Sequence, residues 1–299
     1  MKSRNNRIYL TILVLAGTTM ACSISIPGLR VRPDFLPRFS SVEVGEVQEE
    51  TIFVEGRPDL VDLDIGFGAG KLTVTPGSEG LLTADVRYNV DELAPVLNTA
   101  GDRVSLSTGE LDLDTIPTNI DGDVINEWDL ALGTSQINLD MDLGAADADI
   151  DLGGLTLKNL TMDVGAASLS LDFSDRNQIE MDRFDLECGA ASVDLMNLAN
   201  ANARTMSINA AGGDFNLDFS GNMTSDQELY VDISMAAGHL RIVVPEGAAV
   251  ELKIDGALMD VDTYGSWERD SNLYTRDGEA GLIQLHVNAG AGQIEVYVD

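Results

Sequence analysis

Aspartate is the residue type with the most chemical reach in this sequence. Asp140, Asp142, Asp147, Asp149 and Asp151 alternate with other residues through one stretch, and Asp163, Asp172, Asp185, Asp194, Asp214 and Asp218 follow downstream. Carboxylates at this density suit two chemistries: oxygen ligation of a hard cation such as Ca²⁺, and the acid–base pairs that cleave glycosidic bonds. Asp147, Asp149 and Asp151 are the candidate metal ligands. Against calcium, the sequence has neither an EF-hand loop nor the glycine-rich nonapeptide of calcium-bound β-rolls. Against glycoside cleavage, such grooves need aromatic platforms, and Phe, Trp and Tyr together make up 5% of the chain. The plainer reading is a solvated acidic face. Gly66-Phe-Gly-Ala-Gly-Lys71 resembles a phosphate-binding loop only superficially. The spacing is one residue short, Leu72 stands where Ser or Thr is needed, and a strand follows instead of a helix. The two histidines, His239 and His286, have no catalytic partner by pattern. No catalytic residue and no cofactor are expected.

The elements that carry these residues are strands. From about residue 60 onward apolar residues recur at every second position, as in Leu63/Ile65, Leu72/Val74, Ile137/Leu139/Met141/Leu143 and Leu169/Leu171/Phe173. One or two helical turns are expected around Asp91 to Leu97, and a loop or hairpin excursion over Gly256 to Asp277, with Tyr264 and Trp267. One block recurs seven times: an apolar strand end, three small residues, a polar residue, then an alternating strand. Its copies are centred on Gly68-Ala-Gly70, Gly144-Ala-Ala146, Gly165-Ala-Ala167, Gly189-Ala-Ala191, Ala211-Gly-Gly213, Ala236-Ala-Gly238 and Gly290-Ala-Gly292.

Taking the residue after the polar position as a marker, Ala148, Leu169, Val193, Phe215 and Leu240 are separated by 21, 24, 22 and 25 residues. That is the period of a solenoid coil, each coil burying an apolar edge against the next. The fold expected is all-β: a right-handed parallel β-solenoid-like stack of 21–25-residue coils, with an antiparallel β-sandwich as the alternative. The 76 residues from Leu72 to Ala148 and the 54 from Leu240 to Ile294 are expected to hold degenerate coils, insertions and caps. By the same pattern His239 faces outward and Cys188 inward.

The N-terminus reads as an address. Lys2, Arg4 and Arg7 precede an apolar run from Ile8 to Gly17, and Thr18-Thr-Met-Ala-Cys22 follows. The run is shorter than the roughly 20 residues that cross a bilayer. The segment resembles a lipoprotein signal, which implies removal of residues 1–21 and lipidation of Cys22. Thr19 stands where that pattern usually has Leu, so an ordinary secretory signal and a secreted protein are the alternative. Two or three acyl chains on one cysteine hold a protein stably at a membrane.

The expected organisation is a signal peptide over 1–21, a lipidated tether and lead-in over 22–59, and a single β-solenoid domain over 60–299. The lead-in carries Pro27, Pro33, Pro37 and Pro58, and its Arg30, Arg32 and Arg38 would lie near anionic headgroups. Removing Lys2, Arg4 and Arg7 from 18 Lys+Arg leaves 15 against 50 Asp+Glu, a formal charge of −35. Such a body repels nucleic acid, so the membrane is reached through the N-terminal lipid, and cationic groups are the permitted company. With Cys22 acylated, Cys188 has no disulfide partner.

Asn126-Glu-Trp128-Asp-Leu130-Ala-Leu132, followed by Gly-Ala-Ala blocks with Leu-Asp-Leu strands, resembles the toast-rack domain of bacterial envelope proteins and is similar to adhesin-type solenoids. The resemblance spans about residues 60 to 255. It implies a stacked β-solenoid at the envelope, in a family associated with cell-wall stress responses and adhesion, without catalytic residues to carry over. Stress-response members have several membrane helices ahead of the domain where this chain has an export signal, so their regulatory role is not carried over. The expectation is a non-enzymatic, lipid-anchored, extracytoplasmic scaffold or adhesion protein whose partner is an envelope protein or cell-wall polymer. A calcium-binding envelope module and a carbohydrate-active solenoid enzyme are the rivals.

Overall fold

The computed structural model describes residues 44–109 and 123–299. Cys22, Arg30, Arg32, Arg38 and the expected signal lie outside them.

The strand Gln136–Asp151 shows how the sequence makes a coil. Ile137, Leu139, Met141 and Leu143 are buried, and then Ala146, Ala148 and Ile150. Side chains alternate between the two faces of a strand, so moving the buried set from odd to even positions would put it on the wrong face of a straight strand. The chain instead bends at Gly144-Ala145, and both arms turn their apolar faces to one core.

Among the described residues sixteen strands form one sheet. In chain order they are β1 (Gln48–Val54), β2 (Val61–Pro76), β3 (Leu82–Tyr88), β4 (Pro95–Ala100), β5 (Arg103–Thr108), β6 (Asn126–Leu132), β7 (Gln136–Asp151), β8 (Thr156–Val164), β9 (Ser168–Asp172), β10 (Met181–Met196), β11 (Ala203–Asp218), β12 (Glu228–Val244), β13 (Ala249–Thr263), β14 (Glu268–Asp270), β15 (Leu273–Arg276) and β16 (Leu282–Val298). The layers stack in the order β5 with β6, β2, β7, β8 with β9, β10, β11, β12, β16 and β13, all in parallel. Antiparallel strands flank both ends. On one side β4 pairs with β5 while β3 and β1 continue from β6; on the other, the β14–β15 hairpin pairs with the start of β13.

The seven repeat copies are consecutive layers. Leu72 aligns with Ala148, then Leu169, Val193, Phe215, Leu240 and Ile294 follow in one row. The two long sequence gaps are therefore excursions that leave the stack and return, so residues 76 and 54 positions apart become neighbours. The first excursion builds the outer β5/β6 layer, whose Trp128 sits on Leu72, and the second builds the outer β13 layer.

Three boundaries differ from expectation. The sheet includes β1, upstream of residue 60, because its alternating Ile52 and Val54 have an apolar face to bury. The turn near Asp91 is a single 3-10 turn, Asp91–Leu93, and Pro95 already starts a strand. The first half of Gly256 to Asp277 is regular coil strand, with the hairpin beginning only at Glu268.

Aromatic residues fill the core: Trp128, Phe67, Phe173, Phe184 and Phe219 are fully buried, and Phe67 meets Trp128 edge-on at 5.4 Å between ring centroids. The coils return on the side opposite the corner, where backbone groups lose their strand ladder. There, buried Asn177 donates to the carbonyls of Leu157 and Ile179, both at 2.8 Å, and accepts from the Leu157 N–H at 2.8 Å. Asn200 donates to the Phe173 carbonyl at 2.9 Å and accepts from the Asn222 N–H at 2.7 Å. Arg176 crosses these turns, donating to Asn202 Oδ1 at 2.5 Å and Gln227 Oε1 at 2.9 Å. Buried polar backbone must find partners, and these side chains supply them.

Candidate functional site

A groove runs across the layers on the outside of the corner. Its floor is the first small residue of each triplet, including Gly68, Gly144, Gly165, Gly189, Ala211 and Gly290, and its volume is about 1000 Å³. At four of its glycines, Gly144, Gly165, Gly189 and Gly290, even a Cβ is crowded by the carbonyl of a neighbouring layer. A Cβ built on Gly165 would lie 2.8 Å from the Gly144 carbonyl oxygen, and one on Gly189 would lie 2.8 Å from that of Gly165. Four copies need glycine at the third position for a different reason: Gly70, Gly213, Gly238 and Gly292 have φ between 130° and 151°.

One wall of the groove is an outward row in strict register: Gly66, Asp142, Asp163, Glu187, Asn209, Ser234 and Asn288. At about 4.8 Å per layer its seven members span roughly 29 Å. The row is acidic in its first half and neutral in its second. Asp64 and Asp140 stack beside it in the row two residues earlier. Arg103 neutralises Asp64 at 2.5 Å, whereas Asp140, Asp142, Asp163 and Glu187 make no ion pair among the described residues. Partial burial and the neighbouring charges of Asp142, Asp64 and Asp163 push the Asp140 carboxyl above its ordinary value, and burial with Asp163 and Asp64 does the same to Asp142. Like charges in adjacent layers resist ionising together.

The three candidate metal ligands do not converge. Asp147 and Asp149 stand exposed on the other arm, aligned with Ser168 and Ser170. Asp151 is committed to a turn, accepting from the Gly153 N–H at 2.8 Å and the Ser174 hydroxyl at 2.7 Å. Several later aspartates are also engaged: Asp172 with Asn197 and Asp194 with Asn216, each at 2.7 Å, Asp185 with Arg183, and Asp218 with the Ser220 N–H at 2.8 Å. Among the described residues no three His, Cys, Asp or Glu side chains are grouped as metal ligands.

Cys188 is buried under the groove, where burial and then Asp163 push its thiol up to about 12, so it is an inert core thiol at neutral pH. His239 faces outward, 3.4 Å from Glu295. His286 has partners that its sequence neighbourhood does not reveal. Its Nδ1 lies 3.0 Å from Asp232 and its Nε2 3.1 Å from Asp255, on the layers to either side. Hydrogen bonds from Lys253 and then His286 hold the Asp255 carboxyl below its ordinary value.

Asp140, Asp142 and Asp163 are among the aspartates the sequence singles out, but that Asp142, Asp163 and Glu187 fall in one row is the site feature that sequence reasoning missed. The signal was available in the residue two places before each small triplet, once the seven copies are superposed. Lys71 lines no phosphate loop; it is a corner residue aligned with Asp147.

Fold and groove together define a parallel β-solenoid that displays a long surface. The chain matches the family described as the N-terminal domain of toast-rack over residues 43–195, and it belongs to that family. Residues 195–296 match the family described as the C-terminal domain of the cell wall-active antibiotics response protein LiaF. The two matched regions meet inside β10, where the sheet is unbroken. Among solved structures, a candidate cell adhesion protein from Clostridium sporogenes is 19% identical, with a TM-score of 0.46 over 85% of this chain and 100% of the other. A candidate adhesin from Bacteroides fragilis is 12% identical, with a TM-score of 0.39 over 84% and 97%. The comparison with curated proteins finds no match. No helix among the described residues is long and apolar enough to cross a membrane.

Proposed function

We propose that this is a non-enzymatic interaction protein of the bacterial envelope, held at a membrane by lipid on Cys22, with the corner groove as its working surface. The observation that carries the reading is the groove itself: an open trough of about 1000 Å³ crossing seven layers, with a floor of backbone and small residues. A rigid stack with a continuous concave surface suits an elongated partner, which each layer contacts in the same way. The groove carboxylates stand on one wall, in one row. Glycosidic cleavage needs two carboxyl groups flanking the bond, so this arrangement suits recognition better than turnover. Anchoring is supported by the order of Lys2, Arg4, Arg7, the apolar run and Cys22.

The test has two parts. Cells fed a labelled fatty acid should label the wild-type protein, and Cys22→Ala should abolish the label and release the protein from the membrane fraction. A photo-crosslinking residue at Asn209 should capture the same envelope protein or wall polymer reproducibly, while one at exposed Asp149 should not. Equal capture from both positions would remove the groove from the proposal. Turnover of an envelope polysaccharide that is lost in Asp163→Asn would replace it with an enzyme.

A further inference from the structure

The far end of the stack is closed on only one arm. At the start of β13, β15 covers Val250 to Lys253 in antiparallel register, and the Ile254 N–H reaches the Asn272 carbonyl at 2.9 Å. From Asp255 to Thr263 the strand pairs with β16 on one side and, among the described residues, with no strand on the other. A row of backbone donors and acceptors is therefore left open, the arrangement that accepts an added strand. The apolar side of this edge is also unfinished. Met259 and Val261 pack against the core only in part, while Leu258, beside Ala291 on the outer side of the corner, is 77% exposed. Ile294, beside Val261 in the layer beneath, is 0% exposed. Alternating with them, Asp260 and Asp262 occupy the outward row, next to Gln293 and Glu295.

From these features we infer that the β13 edge binds an extended segment of a partner protein that alternates apolar residues with Lys or Arg. The apolar positions would continue the core past Val261, the basic positions would meet Asp260 and Asp262, and the main chain would take up the open ladder. A second copy of the same edge is disfavoured, because antiparallel pairing would set these aspartates against their equivalents, and like charges directly opposite are destabilising. The inference does not depend on lipid at Cys22 or on occupancy of the groove.

The experiment uses the full mature chain and a fluorescent ten-residue peptide alternating Val and Lys, with a scrambled peptide of the same composition and a Val/Glu twin. Anisotropy should report binding of the alternating Val/Lys peptide alone. Asp260→Lys with Asp262→Lys should weaken it by about tenfold or more and admit the Val/Glu peptide. Asp147→Lys with Asp149→Lys makes the same charge change in mid-stack, away from any open edge, and should alter affinity by less than about twofold. Equal losses in the two double variants, or equal binding of the scrambled peptide, would reduce the effect to general attraction toward an acidic protein and overturn the inference. Binding that appears only after Arg30→Glu with Arg32→Glu would assign the edge to the chain's own lead-in. A concentration-dependent dimer abolished by Asp260→Lys with Asp262→Lys would assign it to a second copy. Either of these also overturns the inference.

Discussion

The two bends of each coil are held in opposite ways. At the corner, Gly144, Gly165 and Gly189 bring successive layers together because they carry no side chain, and each opposes the carbonyl of the layer before. On the return side the backbone cannot continue its ladder, and Asn177, Asn200, Asn202 and Arg176 reach across layers to supply the missing partners. One bend is specified by small residues, through crowding at the first position of some triplets and positive φ at the third position of others, a demand that every coil meets. The other is specified by hydrogen bonds that each belong to one place.

The largest effect that tests this contrast is steric. Gly165→Val should cost about 3 kcal/mol in chemical denaturation, because the Gly144 carbonyl it meets is fixed in the sheet. A loss below about 1 kcal/mol would mean that the layers can part at the corner. Next comes the return side: Asn200→Ala strips partners from the Phe173 carbonyl and the Asn222 N–H and should cost about 2 kcal/mol. Were it silent, the polar ladder would be decoration and the contrast would fail. Cys188→Ser introduces a hydroxyl into an apolar position and should cost about 1 kcal/mol, whereas Ser192→Ala, exposed just past the same corner, should change stability by less than about 0.5 kcal/mol. Equal losses would mean the coil register is misplaced.

The smallest expected effect is electrostatic. Asp140 and Asp142 hold their protons more tightly in the folded state than as free carboxyls. Their contribution is therefore fully present below the unfolded carboxylate value and is lost as pH rises through the folded one. Thermal melts should show stability increasing from neutral pH into the mildly acidic range, and Asp142→Asn should flatten that rise while raising the midpoint at pH 7. A rise undiminished in Asp142→Asn would place its source outside the groove row.

The same contrast decides what was legible in the sequence. A rule imposed on every layer leaves a repeat, so the Gly-Ala triplets announced the coil, its length, and the inward place of Cys188. A hydrogen bond made once leaves no period, so nothing in the repeat singles out Asn177 or Asn200, and His286 gave no hint of Asp232 or Asp255 because each lies on another layer. The acid row falls between these cases. Asp142, Asp163 and Glu187 share one position in the repeat but differ in type from Asn209, Ser234 and Asn288, so only superposed copies show them as a row. Sequence distance also misled at the ends, where Leu72 and Leu240 find their neighbours only after the chain has gone out and come back.

That out-and-back course sets an order of events in time. β13 is made before β16, yet β16 lies between β13 and β12 along nearly its whole length. As the chain emerges, β12 and β13 must wait, with the ladder between them unoccupied, until residues 282–298 arrive to fill the gap. Contacts between residues far apart in sequence form slowly, so this insertion, like the closing of the longer gap between β2 and β7, is expected to be a slow step, and the interval before it is when these edges of the nascent protein are exposed to wrong strands.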